Sequence, residues 1–177
     1  MAAVPAAAQQ PAAQPQANPF REENMTVNEM VGDWTVRCFN VKTIAPCDVL
    51  QLGTQQQTNR RVTLISIAFV PSQNAYAAQI IVPLGVVLSR GLTLGTGETA
   101  LTGVKFTRCE RDGCYVESPL PQAAIDTLIA AGETTNMGLT AYPSNQPVDL
   151  PVSLKGFADA IAKLRTEATN RAEAPAQ

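Results

Sequence analysis

The chain of 177 residues suits one domain of ordinary size, and its 13 basic and 15 acidic side chains leave a net charge of −2, no field that would draw it onto phosphate backbones or anionic lipid. Nucleic acid is therefore excluded as an expected partner. Histidine is absent, which closes Ser–His–Asp and Cys–His chemistry and leaves only carboxylate pairs, a Ser–Lys pair or a thiolate as routes to catalysis.

Residues 1–26 are rich in Ala, Gln and Pro and follow neither secondary-structure period; they bury too little to offset the entropy of ordering, and a flexible leader is expected. The basic stretch and following apolar segment of a secretory signal are missing from it. We expect a chain from which such a signal has been removed, with Met1 as a replacement start. The folded domain is expected over 27–165, beginning near Val27.

Trp34-Thr35-Val36-Arg37-Cys38-Phe39 alternates, which places Trp34, Val36 and Cys38 on one strand face and Thr35 and Arg37 on the other. Asp48 to Gly53 reads as its partner. Arg61 to Val70 is β-branched and apolar on both faces, as a central strand requires. Further strands are expected at Tyr76–Val82, Gly85–Ser89, Leu92–Leu94, Leu101–Cys109 and Cys114–Glu117, with Pro, Gly, Asn and Ser marking the turns. The longest apolar run, Gln79 to Leu88, is broken by Pro83 and Gly85 and falls short of the roughly 18 residues a membrane helix needs. No membrane-spanning segment is expected.

Between Pro121 and Ala131 the pattern predicts a helix with Ala124, Ile125, Leu128 and Ile129 buried, Pro121 in its first turn and Gly132 just past its end. Thr134 to Tyr142 and Val148 to Val152 read as strands. Ser153 is the expected cap of a last helix whose buried stripe is Phe157, Ile161 and Leu164, and 166–177 is expected to fray. So many short strands indicate a sandwich or barrel.

Cys38, Cys47, Cys109 and Cys114 allow three pairings in an oxidising compartment. Spacing favours one. The loop Glu110-Arg111-Asp112-Gly113 would set Cys109 opposite Cys114 across a hairpin, where Cα atoms lie about 4.5–5.5 Å apart, within disulfide reach. Cys38 ends one strand and Cys47 begins the next, so Cys38–Cys47 and Cys109–Cys114 are the predicted bonds. A tetrathiolate zinc site usually has about two to four residues between paired cysteines, and a thioredoxin-type centre needs Cys-x-x-Cys at a helix start; neither spacing matches.

Trp34 is read as core, packed near sulfur, in preference to a binding platform. Gly95-Thr96-Gly97-Glu98 lacks the following Lys-Ser/Thr of a phosphate loop and reads as a turn. The group Glu110, Arg111 and Asp112 reads as a solvated turn, and Ser153 and Lys155 stand too close in sequence for a nucleophile–base pair.

Taken in order, Gly32-Asp33-Trp34-Thr35-Val36-Arg37-Cys38 with Cys47, then Val82-Pro83-Leu84-Gly85-Val86 with Gly91, then Phe106, Cys109, Gly113 and Cys114, and last Ser153-Leu154-Lys155-Gly156-Phe157, this chain resembles the invasion-associated locus B proteins of alphaproteobacteria. The resemblance spans about Val31 to Leu164. It implies a mainly β, immunoglobulin-like β-sandwich exported past the inner membrane, to the periplasm or to an outer-membrane or cell-surface position, in a family named for bacterial invasion of host cells. It implies no catalytic, cofactor-binding or metal-binding residues. The expected function is a non-catalytic envelope protein acting by contacts with an envelope or host-surface protein. A carboxylate-dependent envelope enzyme would instead need two acids about 5–10 Å apart in a cleft, and a small-ligand binder a closed apolar pocket between the sheets.

Overall fold

The computed structural model describes residues 22–55, 60–95 and 101–173. Among them are two antiparallel sheets. Five strands follow one another as a meander: β1 (Met25–Val31), β2 (Trp34–Phe39), β3 (Cys47–Gln55), β4 (Arg60–Val70) and β5 (Ala75–Val82). The chain then crosses to the second sheet for β6 (Leu92–Leu94) and β7 (Leu101–Val104). It returns as a hairpin of β8 (Arg108–Glu110) and β9 (Gly113–Leu120), and β9 pairs with β5. Helix α1 (Gln122–Ala130), strands β10 (Thr134–Thr140) and β11 (Pro147–Ser153), and helix α2 (Phe157–Glu173) complete the fold. The larger sheet has the order β1-β2-β3-β4-β5-β9-β8, the smaller β11-β10-β6-β7.

The alternating strands determine which face is inside. Trp34, Val36 and Cys38 are buried on β2, Val49 on β3, Ile65 and Ile67 on β4, Ala78, Ile80 and Val82 on β5, and Val116 on β9, and the register aligns them as rows on one face. Two lids share that face. Helix α2 lies against β1 to β4, burying Phe157, Ala160, Ile161, Leu164 and Ala168 at the spacing of one helical stripe. Leu92, Leu94 and Val104 of the smaller sheet face Ala78, Ile80, Val116 and Leu120. β4 stands fourth of seven, which explains why its sequence is apolar on both sides.

Several expected boundaries move. β1 is a strand the sequence pattern did not reveal, because its burial does not alternate, and it begins ahead of Val27. Gly85–Ser89 is not a strand: Gly85 and Gly91 have φ of +89° and +69°, Val86 keeps a single bridge to Ala141, and Leu88–Arg90 is a 3-10 turn. The expected strand Leu101–Cys109 is two strands in different sheets, separated by residues 105–107. Pro121 precedes α1 instead of lying in its first turn, Ile129 is exposed, and Gly132 follows the end at φ +90° as expected. Ser153 ends β11 and does not cap α2, which runs to Glu173 where fraying from Thr166 was expected. The greater part of the expected leader, Thr96 to Glu98 of the expected turn, and the last residues of the tail lie outside the described residues.

Candidate interaction surface

The four sequence motifs meet as close backbone junctions. Gly32 and Gly156 have φ of +62° and +77°, and a Cβ on Gly32 would sit 2.3 Å from the Lys155 carbonyl oxygen, one on Gly156 2.5 Å from that of Val31. The β1–β2 turn is thereby pressed on the β11–α2 junction. Around this contact the Asp33 amide donates to the Lys155 carbonyl at 3.0 Å, and Ser153 Oγ donates to Asp33 Oδ2 at 2.6 Å. Trp34 Nε1 and Gln51 Nε2 both donate to the Ser153 carbonyl, at 3.0 and 2.8 Å. The Trp34 ring is in the core, as expected, and its ring partner is Phe157 at 4.9 Å between centroids. The Lys155 amide donates to Ser153 Oγ at 3.3 Å, so these two residues meet through the backbone of Lys155. Gly113 repeats the device: its Cβ would lie 2.3 Å from the Val82 carbonyl oxygen.

The structure bonds Cys38 to Cys47 and Cys109 to Cys114, the pairing predicted from spacing. In both pairs the cysteines are directly opposed in neighbouring strands, and the Cα atoms are 4.1 and 4.0 Å apart. The second hairpin is tighter than read from sequence, since Glu110 pairs with Gly113 and leaves only Arg111 and Asp112 in the turn. That turn is not wholly free: the Tyr115 hydroxyl donates to Asp112 Oδ2 at 2.5 Å. Donating to that carboxylate, together with burial, pushes the Tyr115 phenol up to about 12.

The outer face of the seven-stranded sheet carries the charge. Arg37 stands opposite Asp48 and grips it with Nε and a terminal nitrogen, while Ser66 Oγ donates to the same carboxylate at 2.6 Å. At the other end Arg108 reaches both Glu110 and Glu117, at 2.6 and 2.7 Å, and its guanidinium lies 4.0 Å from the centroid of the Tyr115 ring. Bonds from Arg108, and from Gln79 opposite, hold the Glu117 carboxyl below the ordinary range. Two acids therefore do share a neighbourhood, but on an open face and neutralised by a cation, and a general acid needs the opposite shift. On the same face, one row beyond Ser66, Gln79 and Glu117, Leu52, Leu64, Ile81 and Tyr115 are matched in register.

Large apolar side chains are exposed at one end of the smaller sheet, which sequence reading missed. The connector after β5 is tied to the end of β10 by the Val86–Ala141 bridge. The Val87 and Tyr142 amides donate to the Thr140 and Gly85 carbonyls, at 2.8 Å each. Those bonds, with the pairing of β10 and β11, bring into neighbouring segments Leu84, Leu88, Tyr142 and Val148, which are 55, 51, 69 and 36% exposed. The signal available was the apolar pair Leu84 and Leu88 on either side of Gly85, whose positive φ, like that of Gly91, interrupts a regular strand. Between the sheets, by contrast, the gap lined by Ile80, Leu92, Leu94 and Val116 has a volume of about 10 Å³, room for roughly one water molecule. Among the described residues no group of three or more His, Cys, Asp or Glu could hold a metal ion, and no helix is long and apolar enough to cross a membrane.

Comparison with known proteins places these features in a wider set. The family model described as Invasion associated locus B (IalB) protein matches residues 34–165. The invasion protein B homologs of Brucella abortus strains 2308 and 9-941 are each 29% identical over 140 residues, covering 79% of this chain and 80% of theirs. The crystal structure of invasion associated protein B from Bartonella henselae superposes with a TM-score of 0.70 at 23% identity, over 80% of this chain and 98% of that one, and so shares its fold.

Proposed function

Because this chain belongs to the invasion-associated locus B family, we propose that it is an exported, non-catalytic protein of the bacterial envelope, periplasmic or held at the outer membrane or cell surface, that acts by contact with another envelope protein or a host-surface protein. The observation that carries the contact reading is the exposure of Leu84, Leu88, Tyr142 and Val148 in segments tied side by side, since grouped apolar side chains on a soluble domain mark contact sites. Two disulfides support the location, because such bonds persist in oxidising compartments. The missing histidine, together with acids held by arginines, supports a role without catalysis. Relatives named for invasion make host-cell contact the first phenotype to score.

The test uses the full chain in intact cells, with a photo-reactive residue at Tyr142 and, separately, Leu84→Asp and Tyr142→Asp variants. We expect a discrete cross-linked adduct that both variants weaken, together with reduced host-cell invasion or envelope integrity in the gene deletion. No adduct, with both phenotypes intact, would defeat the proposal.

A further inference from the structure

The two disulfides stand in opposite surroundings. Cys38 and Cys47 are 0 and 1% exposed, on the face that α2 covers. Cys109 is exposed, on an outermost strand of three residues that are all exposed, and its partner Cys114 is buried. An attacking thiolate must reach a disulfide sulfur, so access governs which bond exchanges. Both cysteines of the core bond are buried, whereas the hairpin bond joins one exposed cysteine to one buried one.

We propose that Cys109–Cys114 is a thiol-exchange site, opened by a dithiol through a mixed disulfide at Cys109 while Cys38–Cys47 stays closed. In the first step a thiolate of the dithiol attacks Cys109 Sγ; the new sulfur–sulfur bond forms as the old one breaks, and Cys114 leaves as a thiolate that takes up a proton. In the second, the other thiol of the reagent attacks its own bonded sulfur, closing the reagent as a disulfide and releasing Cys109. The dithiol loses two electrons and two protons, and the cysteines gain them. The site is a substrate for dithiols and not itself a reductase, consistent with its lack of a Cys-x-x-Cys helix start.

The hairpin is built to survive the event. Arg108 binds Glu117 on β9 and stacks on Tyr115 opposite, and Glu110 within β8 steadies its guanidinium, so two contacts independent of sulfur hold β8 in register. Beyond it, β9 stays paired with β5 from Tyr76–Leu120 to Val82–Cys114. The two thiols therefore remain opposed and can close again.

The experiment treats the folded, oxidised full chain with dithiothreitol at increasing concentration, traps thiols by alkylation and maps them by mass spectrometry. Cys109 and Cys114 should be alkylated at least about tenfold faster than Cys38 and Cys47, and removing the reductant in air should restore the bond. Both bonds opening together, or the core bond first, overturns the proposal. Two single variants supply a second measurement: the Cys109 thiol left by Cys114→Ser should react with a disulfide reagent at least about tenfold faster than the Cys114 thiol left by Cys109→Ser. Equal or reversed rates overturn the assignment of Cys109 as the attacked sulfur.

Discussion

At the scale of single residues, the glycines of the motifs matter for what they let the backbone approach. Gly32 has a left-handed φ and a carbonyl where a Cβ would be, and that carbonyl belongs to a backbone that cannot swing aside. Gly32→Ala is expected to lower stability by at least about 2 kcal/mol in urea unfolding. Gly103→Ala, with φ +63° and nothing within 4 Å, meets only the left-handed conformational cost of about 1–2 kcal/mol. An equal loss in the two variants would show that the close contact contributes nothing. Tyr115 makes a pH prediction. Its phenol titrates at about 12 because it donates to Asp112 and is buried, while a free tyrosine titrates near 10. The raised value favours the neutral form in the fold, so this contribution is complete below about pH 10 and is lost as pH climbs toward 12. Absorbance titration should show a late tyrosinate phase that Tyr115→Phe removes. Cysteine spacing and the Asp112-Gly113 pair made the hairpin readable, whereas the Gly32–Gly156 contact was hidden because it joins residues far apart in sequence.

At the scale of elements, the apolar stripe of α2 was legible at Phe157, Ile161 and Leu164, and its length was not. Thr166 to Glu173 looks polar in sequence, yet Ala168 is fully buried and Arg171 donates to Thr26 of β1, contacts that only the folded sheet provides. An ion pair between Lys163 and Glu29 adds to that seam. Leu164 is 0% exposed, and Leu164→Ala is expected to cost about 2–5 kcal/mol, measured as a fall in the urea midpoint with an unchanged slope. A fall below about 1 kcal/mol would mean the helix is not a true lid of the core. Strand errors have a common cause. In Gly85–Ser89 and Leu101–Cys109 the apolar pattern is strand-like, but positive φ at Gly85 and Gly91 breaks the first and residues 105–107 carry the second from one sheet to the other, and side-chain pattern reports neither.

At the scale of the molecule, the mainly β class followed from strand spacing, which left sandwich and barrel open, and the resemblance implied the sandwich; the division of one sheet face between a helix and a second sheet was not legible, since either lid satisfies the same alternating pattern. The exposed apolar side chains of Leu84, Leu88, Tyr142 and Val148 were hidden for a related reason: their segments are joined by backbone bonds between residues 85–87 and 140–142, far apart in sequence. Stability rests in part on the core disulfide, which closes a loop with a sequence separation of 9. Replacing both Cys38 and Cys47 by Ala is expected to cost about 2–3 kcal/mol in thermal or urea unfolding; a loss within error of zero would mark that bond as ornamental to the fold.

The seam between the first strand turn and the start of the last helix carries one more consequence. Asp33 and Ser153 are 120 positions apart, so a chain emerging from the ribosome has its meander in hand long before the piece that seals it. Until residues beyond Ser153 arrive, half of the inner face of that sheet lacks its cover, and contacts of such long range form slowly. A polypeptide with this arrangement cannot close that seam until residues 153–157 have followed the meander, 120 positions after Asp33.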